Sequence, residues 1–352
     1  MKSGAPLALA AVFLWPSAAR AFNVSMAVAS LGMPADAGHE MITGQALEDA
    51  ARADAAAAAV LDPDSVDLIT RGNYATDMPN GMYPVDLNEY WGFPADTDWN
   101  NPKGQDLHFL RDYGDANTLQ SAYATCMTSR GRIQRLSADV AKLWVSDREK
   151  ALFLLGHATH VIQDSFSPAH TVRASKEENN DLKDVCYYPV GAGPTTPSSP
   201  ICFHQTVDAR DRIWLTAGDP AEVERNRKEW GEGVETVDDL TKFDPNELPP
   251  EGRRSHLKNE ARLARAATER YVLLMFSEIR KRAQDAGYDA DGKRLAERLT
   301  NRLFEGGEDV AGLDGLMAKG IMRCEGLSRA AVTLTRQAPP SLDESRLRAP
   351  AW

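Results

Sequence analysis

The apolar run that begins at Ala151 constrains the fold most, because it carries metal-binding types of side chain at helical spacing. Ser146 and Glu149 form a capping-box pattern just before the run, which predicts the start of a helix. His160 and Asp164 are four residues apart, so a helix places both side chains on one face. Pro168 is expected to stop this helix and to let the chain turn His170 back toward that face.

Histidine is scarce, with seven in 352 residues, and a second pair at helical spacing follows in His204 and Asp208. Nitrogen and oxygen ligands in such pairs suit Zn²⁺. One pair alone is more often a capped or hydrogen-bonded structural histidine. Two pairs, with His170 at a fixed offset from the first, favour a metal site.

Taken together, the motifs resemble those of the zinc-dependent phospholipase C / P1 nuclease superfamily. The segment His160–His170 is similar to the family's H-x-x-x-D-x-x-x-P-x-H core motif, and His39–Thr43 looks like its first histidine motif. Gly72–Asp77 resembles the segment that carries the family's bridging aspartate, and His108-Phe109 resembles its H-F ligand. The resemblance implies an all-α fold, a phospholipase C/P1 nuclease-like helical bundle with extra C-terminal helices.

The resemblance also implies a trinuclear zinc cluster whose ligands fall into three sets. They are Asp77, His108, His160 and Asp164 for the first ion, His170, His204 and Asp208 for the second, and His39, the other oxygen of Asp164 and the mature N-terminal residue Phe22 for the third. Asp77 would also be the catalytic residue that orients or deprotonates the attacking water. Asp96 and Asp98 remain alternatives to Asp77. His157 either donates a supporting hydrogen bond to the site or packs beside it.

The implied reaction is hydrolysis of a phosphodiester bond by hydroxide that bridges two zinc ions. We expect an exported, phospholipase C-like enzyme that acts on a phospholipid or another phosphodiester and touches the membrane only peripherally. A P1-like single-strand nuclease or nucleotidase is the alternative. It is less favoured because a chain with a net charge of −11 lacks the overall basic character typical of nucleic-acid-binding proteins. A non-catalytic, zinc-stabilised binding module is a third hypothesis. No protein partner is evident.

Residues 1–21 have the pattern of a signal peptide, with Lys2, an apolar stretch over Pro6–Trp15 and the cleavage signal Ala19-Arg20-Ala21. This predicts a secreted or periplasmic protein. Residues 22–240 are expected to form the catalytic domain. Residues 241–336 would be a helical extension packed on it, and residues 337–352 a loose tail.

Four cysteines in an exported chain suggest two disulfide bonds, which can be paired in three ways. We favour Cys186–Cys202, which would close one loop and leave Cys126–Cys324. The alternative is that some thiols stay free.

Apolar periodicity and turn-forming residues divide the rest of the chain into helices and irregular segments. The predicted helices are His39–Leu61, Thr118–Val145 with Thr118 as N-cap, Ser255–Ala286, Lys293–Phe304 and Gly312–Arg336. Asn73–Gln105 and Asp244–Arg254 are expected to be irregular, and no strand pair with an Asn-Gly hairpin stands out. His256 lies in a basic stretch and is expected to be a solvated surface residue.

Overall fold

The computed structural model describes residues 38–76, 105–112, 115, 118–174, 181–186, 213–231, 233–239, 242–243, 247–284, 292–305, 322–324 and 327. This part of the chain is mostly helical, in agreement with the predicted all-α class. The helices are α1 Gly38–Ala53, α2 Ala55–Ala58, α3 Pro63–Thr76, the 3₁₀ helix Gln105–His108, α4 Leu119–Leu143, α5 Arg148–Asp164, α6 Pro220–Trp230, α7 Pro250–Ser255, α8 Asn259–Gln284 and α9 Lys293–Glu305.

Helix α5 lies at the centre of the described core, where every residue from Ala151 to Asp164 is buried. It packs most extensively against α3 and α4, and α8 and α1 also contact it. A helix that is apolar on nearly all sides needs such a surround, because any exposed face would leave apolar area in water. Its few polar residues must therefore find partners inside the protein.

Helices α3 and α5 approach so closely that two positions admit only glycine. A Cβ atom on Gly72 would lie 1.9 Å from the carbonyl oxygen of Phe153, and one on Gly156 would lie 2.1 Å from that of Ile69. Each glycine thus lies against the backbone of the opposite helix. The contact sets the position of the α5 turn that leads into His157 and His160.

Capping explains where several helices begin and corrects two predictions. Thr118 caps α4 as predicted, since its hydroxyl accepts a hydrogen bond from the Ser121 amide. The cap of α5 is Asp147 and not Ser146, because the Asp147 carboxylate accepts from the Lys150 amide at 3.1 Å. The single helix predicted over His39–Leu61 is broken at Asp54, whose side chain accepts from the Ala56 amide and begins α2.

Three α-helices in the described part of the chain were not predicted, and each begins with proline, which is favoured in the first turn. Asp62 and Asp219 accept hydrogen bonds from first-turn amides of α3 and α6, respectively. Because α3 continues to Thr76, the segment expected to be irregular from Asn73 starts with helix, and its residues 77–104 lie outside the described residues. Helix α7 occupies the end of the predicted connection Asp244–Arg254.

A short antiparallel strand pair, also absent from the sequence prediction, follows α5. Strand β1, Thr171–Arg173, pairs with β2, Leu182–Val185, with Thr171 opposite Val185. At three and four residues, these strands are too short to show an alternating pattern.

Cys126 and Cys324 form the predicted disulfide bond, with Cα atoms 5.9 Å apart. The bond joins α4 to a segment 198 residues later in the chain. Cys186 is also disulfide-bonded, and Cys202, its predicted partner, lies outside the described residues.

The C-terminal helices belong to the same hydrophobic core as the rest of the described chain. Leu263, Tyr271 and Met275 of α8 are buried in it, and so is Leu299 of α9. Helix α9 begins at Lys293 as predicted and packs on α4 and α8. The predicted helix Gly312–Arg336 lies outside the described residues except for 322–324 and 327, and the domain boundary near residue 240 stays a prediction.

We expect Gly156→Ala to lower the free energy of unfolding by about 3 kcal/mol, at the upper end of typical overpacking costs, because the new methyl group meets rigid backbone. Urea unfolding followed by circular dichroism measures the change. Gly44→Ala on α1 is the matched control, since nothing lies within 4 Å of its added Cβ. That control should stabilise the protein by roughly 0.5–1 kcal/mol. Equal effects of the two substitutions would contradict the close contact.

Candidate metal centre

Four imidazole rings from four separate segments surround the buried carboxylate of Asp164. Its Oδ1 lies 3.1 Å from Nε2 of His39. Its Oδ2 lies 3.1 Å from Nε2 of His160, 3.4 Å from Nδ1 of His108 and 3.8 Å from Nδ1 of His170. All five side chains are at most 6% exposed. Side chains from across the sequence thus converge on one small, buried volume.

The elements around α5 explain this convergence. His160 and Asp164 lie one turn apart near the end of α5, and His39 lies in the first turn of α1. His108 ends the 3₁₀ helix, and His170 lies in the turn between α5 and β1. Helix α5 ends at Asp164, before Pro168, so the chain reverses directly after its carboxylate ligand and brings His170 alongside.

The spacing of these atoms fits metal ligation around the two oxygens of Asp164. Tetrahedral zinc with nitrogen and oxygen ligands places neighbouring ligand atoms roughly 3.3–3.5 Å apart. Ligand atoms of His39, His160 and Asp164 all lie within 4.8 Å of one another. The described groups nearest to the two oxygens of Asp164 are these ring nitrogens. A buried carboxylate that faces several ring nitrogens is suited to a cation between them.

Electrostatics favour the ionised carboxylate at this position. Burial alone would raise the pKa of Asp164, but the fields of His160, His170 and His39 outweigh it and hold the pKa well below its usual range. The ionised carboxylate is the form that metals bind.

The loop that carries His108 is fixed to the strand pair next to His170. Nδ1 of His170 hydrogen-bonds the main-chain carbonyl of His108, so Nε2 is the nitrogen suited to a metal. The Cys186 amide donates to the carbonyl of His170 at 2.7 Å, and the Arg111 amide donates to that of Cys186 at 2.9 Å. Arg111, which is almost fully buried, also pairs with Asp184 of β2. These bonds hold two candidate ligands at a fixed separation.

Backbone strain lies directly beside one of these ligands. Phe109 is fully buried and has a φ of +50°, a left-handed conformation that non-glycine residues rarely adopt. Such a residue costs roughly 1–3 kcal/mol and persists where the surroundings impose it. The strain turns the chain immediately after His108, at the end of the 3₁₀ helix.

His157 does not touch Asp164 in any described contact, but it supports the end of α3. The Thr76 hydroxyl donates to the carbonyl of Gly72 at 3.2 Å and lies 2.6 Å from Nδ1 of His157. Desolvation, with a smaller effect of His160, lowers the pKa of His157 well below its usual value, so the ring is neutral. His157 thus anchors the residue that precedes Asp77.

The five predicted ligands within the described part of the chain all converge, namely His39, His108, His160, Asp164 and His170. The remaining predicted site residues, Phe22, Asp77, His204 and Asp208, lie outside the described residues, as do the alternatives Asp96 and Asp98. The prediction for His256 was wrong. Its side chain is only 12% exposed, hydrogen-bonds the Gly252 carbonyl and lies against Phe243.

Sequence reasoning missed a buried polar network beside the ligands. Gln163, the residue before Asp164, hydrogen-bonds His39, Asn73, Thr43 and Thr268. The available signal was a glutamine within an apolar run, since a polar residue in a buried helix must be satisfied internally.

Comparison with known proteins identifies no relative of this chain. No family model matches the chain, and neither the curated proteins nor the solved structures yield a match. Among the described residues, no helix has the length and apolar character that crossing a bilayer requires.

We expect that replacing Asp164 with asparagine weakens the binding of added zinc on the order of 100-fold, because even partners of ligands typically contribute 10–100-fold. The substitution keeps the side-chain shape and removes the charge that the imidazole nitrogens face. Competition with a chromophoric chelator, combined with elemental analysis, measures the affinity and the zinc content.

Glu278→Gln is the matched control for this experiment. Glu278 is also a buried carboxylate, but its partners are Lys281 and Arg298 of the C-terminal helices. Its loss should reduce stability and leave zinc binding unchanged. An Asp164→Asn protein that binds zinc as tightly as the parent would exclude Asp164 as a ligand.

Proposed function

We propose that this chain is a zinc-dependent phosphoesterase of the phospholipase C type, which hydrolyses phosphodiester bonds. The observation that carries the proposal is the division of Asp164 between two sets of imidazoles. Its Oδ1 faces His39, whereas its Oδ2 faces His160 and His108. The resemblance in sequence implies the same division, with one oxygen for each of two ions.

The types of donor atom indicate which metal the site would bind. Imidazole nitrogens and carboxylate oxygens at these separations suit zinc, while magnesium and calcium prefer oxygen ligands alone. His39, His108, His160, His170 and Asp164 would supply the described part of the ligand set. Bound zinc lowers the pKa of a coordinated water to near neutrality and supplies hydroxide for attack on phosphorus.

The chain's own residues would prepare this chemistry in three ways. The buried carboxylate of Asp164 holds the ligand rings together and offsets cationic charge. The hydrogen bonds of His39 and His170 through Nδ1 leave Nε2 of each ring for coordination. The buried surround would strengthen every electrostatic interaction with an anionic phosphoryl group. The catalytic role of Asp77 in orienting the attacking water stays a prediction.

The decisive experiment uses the processed chain, loaded with zinc and assayed on phosphatidylcholine vesicles. We expect bound zinc, release of phosphocholine, loss of this activity in EDTA and recovery when zinc is restored. Cleavage of single-stranded DNA in place of the lipid would replace the phospholipase by the nuclease. Zinc binding without hydrolysis of either substrate would favour the non-catalytic module. A protein that binds no transition metal would refute the proposal.

A set of three aspartate variants tests the catalytic assignment. Asp77→Asn should reduce kcat by at least about 100-fold, the lower bound for losing a group in acid–base catalysis. Asp96→Asn and Asp98→Asn are the matched controls and should retain activity. Loss of activity in one of these controls, with an active Asp77→Asn protein, would move the role to that residue.

A further inference from the structure

We propose that Gln163 is a positioning residue that places the proton of His39 on Nδ1, so that Nε2 is the nitrogen that binds the metal. The inference rests on the proposed metal site and adds a residue that the resemblance does not assign. Gln163 is fully buried on α5, directly before Asp164.

The amide of Gln163 has all of its hydrogen-bonding capacity in use. Its Oε1 lies 2.7 Å from Nδ1 of His39 and accepts from Nδ2 of Asn73 at 3.3 Å. Its Nε2 donates to the hydroxyls of Thr43 at 2.8 Å and Thr268 at 3.3 Å. A side-chain amide has two acceptor sites and two donors, so these four contacts account for all of them.

The neighbours determine which way round this amide lies. The Thr268 hydroxyl donates to the carbonyl of Ala264 at 2.8 Å. A hydroxyl has only one proton, so Thr268 can only accept from Gln163, and the atom facing it must be the nitrogen. The opposite atom, which faces His39, is therefore the oxygen.

Asn73 gives the same orientation independently. The Thr159 hydroxyl donates to the carbonyl of Gly156 at 2.7 Å and accepts from Nδ2 of Asn73 at 3.0 Å. Since Nδ2 of Asn73 faces Thr159, the same nitrogen also donates to Oε1 of Gln163. A flipped Gln163 would place two NH₂ groups against each other and leave Thr268 without its donor.

The consequence for His39 is a fixed proton on Nδ1. An acceptor oxygen at 2.7 Å requires that proton, so Nε2 is the nitrogen that can offer a lone pair to a metal ion. Nε2 lies 3.1 Å from Oδ1 of Asp164. Two consecutive residues of α5 thus contact opposite nitrogens of one ring. Gln163 contacts the protonated Nδ1, and Asp164 lies next to Nε2, the nitrogen that would bind the metal.

Two substitutions at this position separate positioning from simple packing. Gln163→Met keeps the size of the side chain but removes the acceptor, and we expect zinc affinity to fall about 10–100-fold. Gln163→Glu keeps an acceptor for Nδ1 of His39 and replaces the donors to Thr43 and Thr268 with a carboxyl oxygen. It should retain most of the zinc affinity while losing stability. Chelator competition measures affinity, and urea unfolding measures stability.

The tautomer is a second readout that does not depend on activity. In the zinc-free protein with ¹⁵N-labelled histidine, long-range ¹H–¹⁵N spectra should show Nδ1–H at His39, assigned with a His39→Gln protein. The signature should persist in Gln163→Glu and be lost in Gln163→Met. If Gln163→Met does not fold, Thr268→Val should show a smaller change of the same sign. Ser137→Ala, which removes a buried hydrogen bond to Tyr271, is the control that should alter neither readout.

The possible results distinguish this inference from the proposed function. A parent protein that binds no zinc refutes the metal site, whatever Gln163 does. A parent that binds zinc, together with a folded Gln163→Met protein of equal affinity or unchanged tautomer, overturns the role of Gln163 alone.

Discussion

The burial of one ionised carboxylate, that of Asp164, is the constraint on which the described structure depends. Moving an isolated charge out of water costs several kcal/mol even after the protein relaxes. Four imidazoles that face Asp164 offset this cost, and each comes from a different segment of the chain. Those segments therefore have to meet at the end of α5. The site and the core are thus built around the same helix.

The close contact of α3 with α5 shows how tightly packing and chemistry are linked here. Gly72 and Gly156 allow the two backbones to touch, and this brings Asn73 and Thr76 within reach of α5. Asn73 then joins the network of Gln163, while Thr76 binds His157. A larger residue at either glycine would separate the helices and break both sets of hydrogen bonds. We infer that the glycines matter to the ligand geometry as well as to stability.

Local sequence patterns predicted those features that depend on nearby residues. The i, i+4 spacing of His160 and Asp164 placed both on one helical face, and a side-chain cap at Thr118 marked the start of α4. Ser146 and Asp147 are both good caps, and local pattern alone could not decide between them. The break at Asp54 was missed because an alanine-rich run favours uninterrupted helix, whereas the break is stabilised by a distant partner, Arg280 of α8.

Features of the site that depend on long-range contacts could be predicted from the sequence only in part. The motif order suggested that His39, His108 and His170 share a site with Asp164. No local pattern predicts the distances between their ring nitrogens and the Asp164 oxygens. The role of Gln163 was not visible, because Thr43, Asn73 and Thr268 are 120, 90 and 105 residues from it. Strand pairing beside His170 likewise depends on Arg111 and Cys186 rather than on the short strands themselves.

The direction of the hydrogen bonds around His39 connects folding with metal binding. Once Thr268 and Asn73 fix the amide of Gln163, the folded chain holds Nε2 of His39 and a carboxylate oxygen of Asp164 3.1 Å apart in a buried interior. Atoms of these two types at that distance need a proton or a metal ion between them. A cation bound there would be held only in the folded state, because the unfolded chain does not bring these atoms together. By linkage, such a metal ion would also be a source of stability for the four helices, α1, α3, α5 and α8, that build the network.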